Sequence, residues 1–174
     1  MIAMWLVLAA SAIAAYTDVT RRKIPNALVA AVLAGGLALQ ATHGVFPLLG
    51  SVAIFSAAMA AGILAFSWGI AGGGDVKFLA AAGAALGWPD AFAFFLYTLL
   101  AGGVLAAAIA LHRRTFRTTV ANIGMISLSL ASGVRPGPNA PGSTSMPYAV
   151  AIFAGAASVL CASHFALHIL SVTP

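Results

Sequence analysis

The sequence has 174 residues, of which 62% are hydrophobic and only 6% are charged, and its mean hydropathy is +1.05. These values exclude a soluble globular domain and indicate an integral membrane protein, since several apolar runs are long enough to cross a hydrocarbon core of ~30 Å. The formal net charge of +5 comes from basic residues dispersed in loops, a pattern that does not favour nucleic-acid binding. A single cysteine, Cys161, excludes an intramolecular disulfide and a cysteine-cluster zinc site.

Apolar runs predict an all-α fold, a bundle of about six transmembrane helices that forms one membrane domain over residues 1–174. In chain order the predicted helices are Ile2–Tyr16, Ala27–Leu39, Pro47–Phe66, Val76–Leu86, Asp90–Leu111 and Pro147–Leu170. The second and fourth helices are short for a membrane span. Both are rich in Ala and Gly, however, and small residues favour close packing between membrane helices.

The positions of the basic residues predict the orientation of this bundle. They fall between helices 1 and 2, at the junction of helices 3 and 4, and between helices 5 and 6. The residues are Arg21, Arg22, Lys23, Lys77, Arg113, Arg114, Arg117 and Arg135. All of these connections lie on one side of a six-helix bundle, and Lys and Arg accumulate in cytoplasmic loops. We therefore expect that side to face the cytoplasm and both termini to lie on the other side.

Three aspartates, Asp18, Asp75 and Asp90, are the only acidic residues. Asp90 lies in a short turn on the uncharged side, where an aspartate can cap helix 5. Asp18 closes helix 1 and Asp75 opens helix 4, so the topology places both at one membrane face. Two neighbouring carboxyl groups can share a proton, one activating water and the other donating to a carbonyl oxygen. Such a pair can hydrolyse a peptide bond; alternatively, each aspartate forms an ion pair with a nearby basic residue.

The glycines before the second aspartate, Gly72, Gly73 and Gly74, favour the catalytic interpretation. They remove side-chain bulk beside Asp75, so the backbone of an extended peptide could approach the carboxylate closely. A hinge or a tight helix contact would also explain them, because glycine-rich membrane helices are common.

Three segments together resemble the type IV prepilin peptidases, which are aspartic proteases of the inner membrane. Residues 72–77, GGGDVK, resemble the GxGD motif of that family. Residues 18–26, DVTRRKIPN, are similar to its first aspartate segment, in which an aspartate precedes basic residues and Ile-Pro-Asn. Residues 146–155, MPYAVAIFAG, are similar to the Pro-Tyr segment that opens its last helix. The segments follow the order of the family and span nearly the whole chain.

The resemblance implies that Asp18 and Asp75 are the catalytic residues of an endopeptidase that needs no metal or other cofactor. The residues expected to bind substrate or shape the site are Gly72, Gly73, Gly74, Lys77, Pro25, Asn26, Pro147 and Tyr148. Pro25 and Asn26 are expected to shape the start of helix 2, the proline by its fixed backbone angle and the asparagine by capping. Snorkelling of Lys77 and interfacial anchoring of Tyr148 are the alternatives for those two.

The resemblance also implies a substrate and a location. Larger family members carry an N-terminal extension with paired CxxC motifs and N-methylate the new amino terminus. This sequence begins at helix 1, so it resembles the short forms associated with tight-adherence (Flp-type) pili, and methyltransferase activity is not expected. The implied substrate is a prepilin or pseudopilin with a short basic leader, cleaved at the cytoplasmic face of the bacterial inner membrane. The lipid bilayer and the pilus assembly machinery are the other expected partners, and nucleic acid is not.

Two alternatives belong to other functional classes. A small cation-coupled transporter subunit could use Asp75 and glycine-broken helices to bind a cation, although its carboxylate is expected near the membrane midplane. A non-catalytic membrane protein of a pilus or secretion assembly could keep the aspartates as ion pairs. His164 and His168 have a spacing that can ligate a metal, but the missing third ligand favours interface histidines.

Overall fold

The computed structural model describes residues 1–68, 71–112 and 148–172, with side chains described up to residue 165. In chain order its helices are α1 (Ile2–Arg21), α2 (Asn26–Thr42), α3 (Val45–Ser67), α4 (Gly73–Leu86), α5 (Asp90–His112) and α6 (Tyr148–Val172). This confirms the predicted all-α, multi-pass membrane fold. Pro147 and the four arginines of segment 113–147 lie outside the described residues.

Helix length separates the six helices into two groups. Four have stretches long and apolar enough to cross a membrane: α1, α3, α5 and residues Tyr148–Phe165 of α6. The apolar α2 has 17 residues, and α4 has only 14. At about 1.5 Å per residue, α4 measures about 21 Å, which is less than the ~30 Å of a hydrocarbon core. α4 is therefore shorter than the hydrocarbon core is thick.

Three helix ends differ from the prediction in ways that matter for the aspartates. α1 continues to Arg21, so Asp18 lies within its last turn. α4 begins at Gly73, so Asp75 lies within its first turn. The predicted capping of α2 by Asn26 is wrong, because Asn26 is the first helical residue and Pro25 occupies the N-cap position without a side-chain cap. Proline holds φ near −65°. The backbone of Pro25 is extended (φ −63°, ψ 130°), and the helix begins at the next residue, Asn26.

The short helix α4 forms the centre of the bundle and contacts each of the other five helices. Nine of the eleven residues from Val76 to Leu86 are buried, and five of these nine are alanine. Glycines on neighbouring helices allow this close packing, because a Cβ added to Gly36 would overlap Ala85 and one added to Gly62 would overlap Val76. Small residues bring membrane helices together in this way, as the composition of α4 predicted.

By contrast, α3 exposes most of its surface. Its exposed large side chains include Phe46, which is 88% exposed, and Leu49, Ile63 and Leu64, each more than half exposed. Such a helix would be unstable in water but suits contact with lipid chains, where its backbone groups are already paired within the helix. This asymmetry fits a bundle with α4 inside and α3 at the lipid boundary.

Neighbouring glycines on α2 provide a test of this packing. Gly36→Ala should lower the thermal midpoint of unfolding by several degrees, because its Cβ would meet the Ala85 backbone at 2.5 Å and overpacking costs about 1–3 kcal/mol. Gly35→Ala is the matched control, since its Cβ would lie 3.3 Å from the flexible end of Leu6. Thermal unfolding in detergent measures both changes, and equal midpoints for the two variants would contradict the close α2–α4 contact.

Candidate active site

An open cavity of about 330 Å³ lies where the end of α1, the start of α2 and the start of α4 meet. It is lined by Asp18, Arg22, Lys23, Ile24, Asn26, Gly72, Gly73, Gly74, Asp75 and Lys77. At liquid density this volume would hold about ten water molecules. The cavity therefore has room for water and a short stretch of extended peptide beside two carboxyl groups.

Asp18 reaches the cavity from the last turn of α1. Its backbone carbonyl accepts the Arg22 N–H at 2.9 Å, and Arg22 ends the helix in the left-handed conformation (φ 51°). Its Oδ2 accepts the backbone N–H of Ala149, in the first described turn of α6, at 3.4 Å. The C-terminal end of a helix disfavours an anion, whereas the free N–H groups at a helix start favour one. The start of α6 thus compensates for the unfavourable position of Asp18 on α1.

Asp75 occupies the first turn of α4, where its side chain lies over Gly72. A Cβ built on Gly72 would lie 2.7 Å from Asp75 Oδ2, whereas one on Gly73 would lie 3.5 Å from the Phe66 ring and one on Gly74 3.6 Å from Ile24. The three glycines therefore have different surroundings. Only Gly72 is required to be small by the carboxylate itself, while Gly74 lets the loop after α1 approach the start of α4.

The environment of Asp75 favours the protonated form of its carboxyl group. Burial, and secondarily the negative charge of Asp18, raise the pKa of Asp75 from 3.8 to about 6. The start of α4 would by itself favour the charged form, so burial and the neighbouring carboxylate outweigh the helix dipole here. In mildly acidic solution, below about pH 6, this environment favours a proton on Asp75, as expected when a second carboxyl group lies nearby.

The other predicted site residues differ in their relation to the cavity. Asn26 and Lys77 line the cavity, and both are exposed. Pro25 does not line it and instead begins α2. Tyr148 is half-buried and lies within electrostatic range of Asp75, while its ring packs against the position of Gly102. Pro147, next to Tyr148, lies outside the described residues.

Several residues around the aspartates were not predicted as site residues. Arg22, Lys23 and Ile24 line the cavity, and their position within the Asp18 segment could have indicated this. Ala149 supplies a backbone N–H to Asp18. No side-chain pattern signals such a contact, since any residue except proline has the same N–H donor.

Metal ligation is not indicated in the part of the chain that the structure describes. Among those residues, no three His, Cys, Asp or Glu side chains are grouped so that they could hold a metal ion. His164 is exposed on α6, and the side chain of His168 lies outside the described residues. The functional groups that the cavity offers are therefore carboxyl groups, basic side chains and the Asn26 amide.

The raised pKa of Asp75 predicts a dependence of stability on pH. Because the folded-state pKa is about 6 and the ordinary value is 3.8, the folded protein keeps a proton that the unfolded chain has lost between these pH values. The free energy of unfolding should therefore decrease as pH rises through this window. Asp75→Asn removes the titration, so its midpoint should exceed that of the wild type by a few degrees at pH 7 and match it near pH 4. Thermal unfolding at both pH values measures this, and a midpoint difference independent of pH would contradict it.

Comparison with known proteins agrees with the resemblance seen in the motifs. The sequence profile described as the type IV leader peptidase family matches residues 5–107, which include both cavity aspartates and the glycines at positions 72–74. Comparison with curated proteins and with solved structures gave no significant match. The matched region covers more than half of the chain and every residue that lines the cavity. The chain belongs to the type IV leader peptidase family, so it is a peptidase-type membrane protein.

Proposed function

We propose that this protein is an aspartic endopeptidase that removes the short basic leader from Flp-type prepilins and pseudopilins. The observation that carries the proposal is the meeting of Asp18 and Asp75, from separate helices, in one open cavity. A leader peptidase needs a general base and a general acid beside a space for water and peptide. The family match supports leader-peptidase chemistry, and the cavity supplies carboxyl groups that can perform it.

The proposed reaction uses one proton on the pair. Ionised Asp18, held by the Ala149 N–H, removes a proton from a water whose oxygen attacks the scissile carbonyl carbon. Protonated Asp75 gives its proton to the carbonyl oxygen, which forms a neutral tetrahedral diol. Asp18 then donates its proton to the leaving nitrogen while Asp75 takes one from the diol. The C–N bond breaks, the leader leaves with a new carboxyl group, and the pair returns to its starting state.

The remaining cavity residues have supporting roles in this proposal. Gly72 leaves space for the Asp75 carboxyl group, and Gly73 and Gly74 line the cavity beside it, where the substrate backbone would pass. Lys77 and Asn26, both exposed at the cavity, contact the peptide near the scissile bond. Pro25 begins α2, which carries Asn26, and Tyr148 is the first described residue of α6, which carries the Ala149 N–H. The single domain of residues 1–174 would then contain the complete site.

The location proposed for the cavity is the cytoplasmic face of the bacterial inner membrane. Arg22, Lys23 and Lys77 all line the cavity, and basic residues of this kind accumulate on the cytoplasmic side. The apolar helix of a prepilin can then lie in the bilayer while its leader junction reaches the aspartates. The product would pass to the pilus assembly machinery.

The transporter alternative receives less support from the geometry. Asp18 lies in the last turn of α1 and Asp75 in the first turn of α4. A coupling-ion site is expected near the middle of the membrane, between broken helices, whereas these carboxyl groups lie at helix ends. A non-catalytic assembly protein would have no use for an open cavity between the two acids.

The direct test is cleavage by the purified protein. The protein in lipid nanodiscs would be incubated with a full-length Flp-type prepilin, and the products identified by mass spectrometry. We expect one cut between the basic leader and the apolar helix, in the presence of EDTA and of serine- and cysteine-directed inhibitors. Failure of well-folded protein to cut Flp-type prepilins and pseudopilins would overturn the proposal.

A further inference from the structure

Two neighbouring glycines on α5 occupy opposite environments. Gly102 is buried, and a Cβ built on it would lie 2.8 Å from Cε2 of Tyr148 and 3.3 Å from Cζ and the hydroxyl oxygen. Gly103 is exposed, and a Cβ there would meet nothing within 4 Å. Alanine at 102 would therefore force the tyrosine ring to move, whereas alanine at 103 would not touch a neighbour.

Tyr148 connects this contact to both cavity aspartates. It is the first described residue of α6, and the N–H of the next residue, Ala149, donates to Asp18 Oδ2. Its own side chain lies within electrostatic range of Asp75. A displaced Tyr148 ring would therefore alter the Ala149 donor to Asp18, the surroundings of Asp75, or both.

We infer that Gly102 is a positioning residue for the two aspartates, because it leaves the space that the ring of Tyr148 occupies. Gly102 lies outside the cavity lining and outside every motif described above. The inference rests on the proposed peptidase function. No residue of α5 is among those that line the cavity, so the part that this inference gives to α5 is indirect. A glycine is needed there because any Cβ would occupy the space of the ring.

A purely structural role for Gly102 predicts a different result. Tight glycine contacts also occur far from the cavity, as between Gly83 and Phe95, and their replacement should affect stability alone. In a helix, alanine is itself preferred over glycine by about 1 kcal/mol, which offsets part of the packing cost. Catalytic readouts therefore distinguish a positioning role from a packing role better than stability does.

The experiment compares Gly102→Ala with Gly103→Ala in nanodiscs, using cleavage of a full-length Flp-type prepilin. For Gly102→Ala we expect kcat to fall about 10- to 100-fold with KM changed less than threefold, since misplacement of catalytic groups by about 1 Å can cost about 100-fold. The pH profile of kcat should also shift, because the surroundings of Asp18 and Asp75 change. Gly103→Ala should match the wild type in kcat, KM and pH profile.

A second comparison uses a background without the aromatic ring. In Tyr148→Leu protein, Gly102→Ala should cause less than a twofold further change in kcat, since the ring with which it collides is gone. This comparison remains informative even where Gly102→Ala alone accumulates poorly.

Two outcomes would overturn the inference while leaving the proposed function intact. One is wild-type cleavage with Gly102→Ala and Gly103→Ala indistinguishable in kcat and pH profile. The other is an undiminished loss of kcat from Gly102→Ala in the Tyr148→Leu background. Absence of cleavage by the well-folded wild-type protein would overturn the proposed function and this inference with it.

Discussion

Asp18→Asn and Asp75→Asn should each reduce prepilin cleavage by at least about a thousandfold while the protein still inserts and accumulates. An amide can neither take a proton from water nor return one to the leaving nitrogen, and loss of a general acid or base costs about 10²–10⁴-fold in rate. Because the two carboxyl groups act as one unit, the double variant should be hardly slower than either single variant. Single-turnover cleavage in nanodiscs, followed by mass spectrometry, measures all three.

The third acidic residue provides the matched control for these variants. Asp90 begins α5, as the predicted helix bounds have it, and it does not line the cavity. Asp90→Asn makes the same chemical change and should leave cleavage within about twofold of the wild type, since the change lies outside the acid–base pair. Normal processing by Asp18→Asn or Asp75→Asn would refute the assignment of the pair.

Gly72→Ala should lower kcat by about 30- to 100-fold without a comparable loss of stability. The backbone of Gly72 has φ −76° and ψ 140°, angles that alanine adopts readily. The added Cβ would lie 2.7 Å from Asp75 Oδ2, so the carboxyl group must turn away, and displacement of a catalytic group by about 1 Å can cost about 100-fold. Steady-state cleavage and the thermal midpoint together measure the effect.

The neighbouring glycines distinguish a displaced carboxyl group from a blocked substrate path. Cβ atoms on Gly73 and Gly74 would make ordinary contacts with Phe66 and Ile24, leaving Asp75 in place. We therefore expect Gly73→Ala and Gly74→Ala to act mainly on KM. Gly50→Ala is an inert control, because a Cβ there would meet nothing within 4 Å. A fall in kcat from Gly73→Ala as large as that from Gly72→Ala would contradict this assignment.

The sequence predicted most of the fold because the decisive properties are local. Composition and apolar run length indicated the membrane class, and the helix count agrees with the six described helices. Helix ends were less predictable, because the last turn of α1 is polar and the first turn of α4 is glycine-rich. Hydropathy cannot distinguish a polar helical turn from a loop. As a result Asp18 and Asp75 were placed just outside helices that in fact include them.

Within the site, the sequence indicated which residues would meet but not how they would touch. The motif order identified the family, and the topology predicted that the two aspartates share one end of the bundle. Their catalytic roles stay a prediction. The differing surroundings of Gly72, Gly73 and Gly74 were not predictable, since three identical residues in a row carry no information about their neighbours.

What the sequence determined by itself is therefore the membrane class, the six helices that the structure describes, the family, and the shared location of Asp18 and Asp75 at one end of the bundle. Each of these follows from the length of apolar runs, the positions of charges and short motifs, all of which depend on residues close together in the sequence. Only the tertiary structure decided that the Ala149 N–H donates to Asp18, 131 residues away, and that the Tyr148 ring packs against Gly102. These contacts depend on where helices cross, and a shift of one helix by about 1.5 Å, the rise of one residue, would replace every partner.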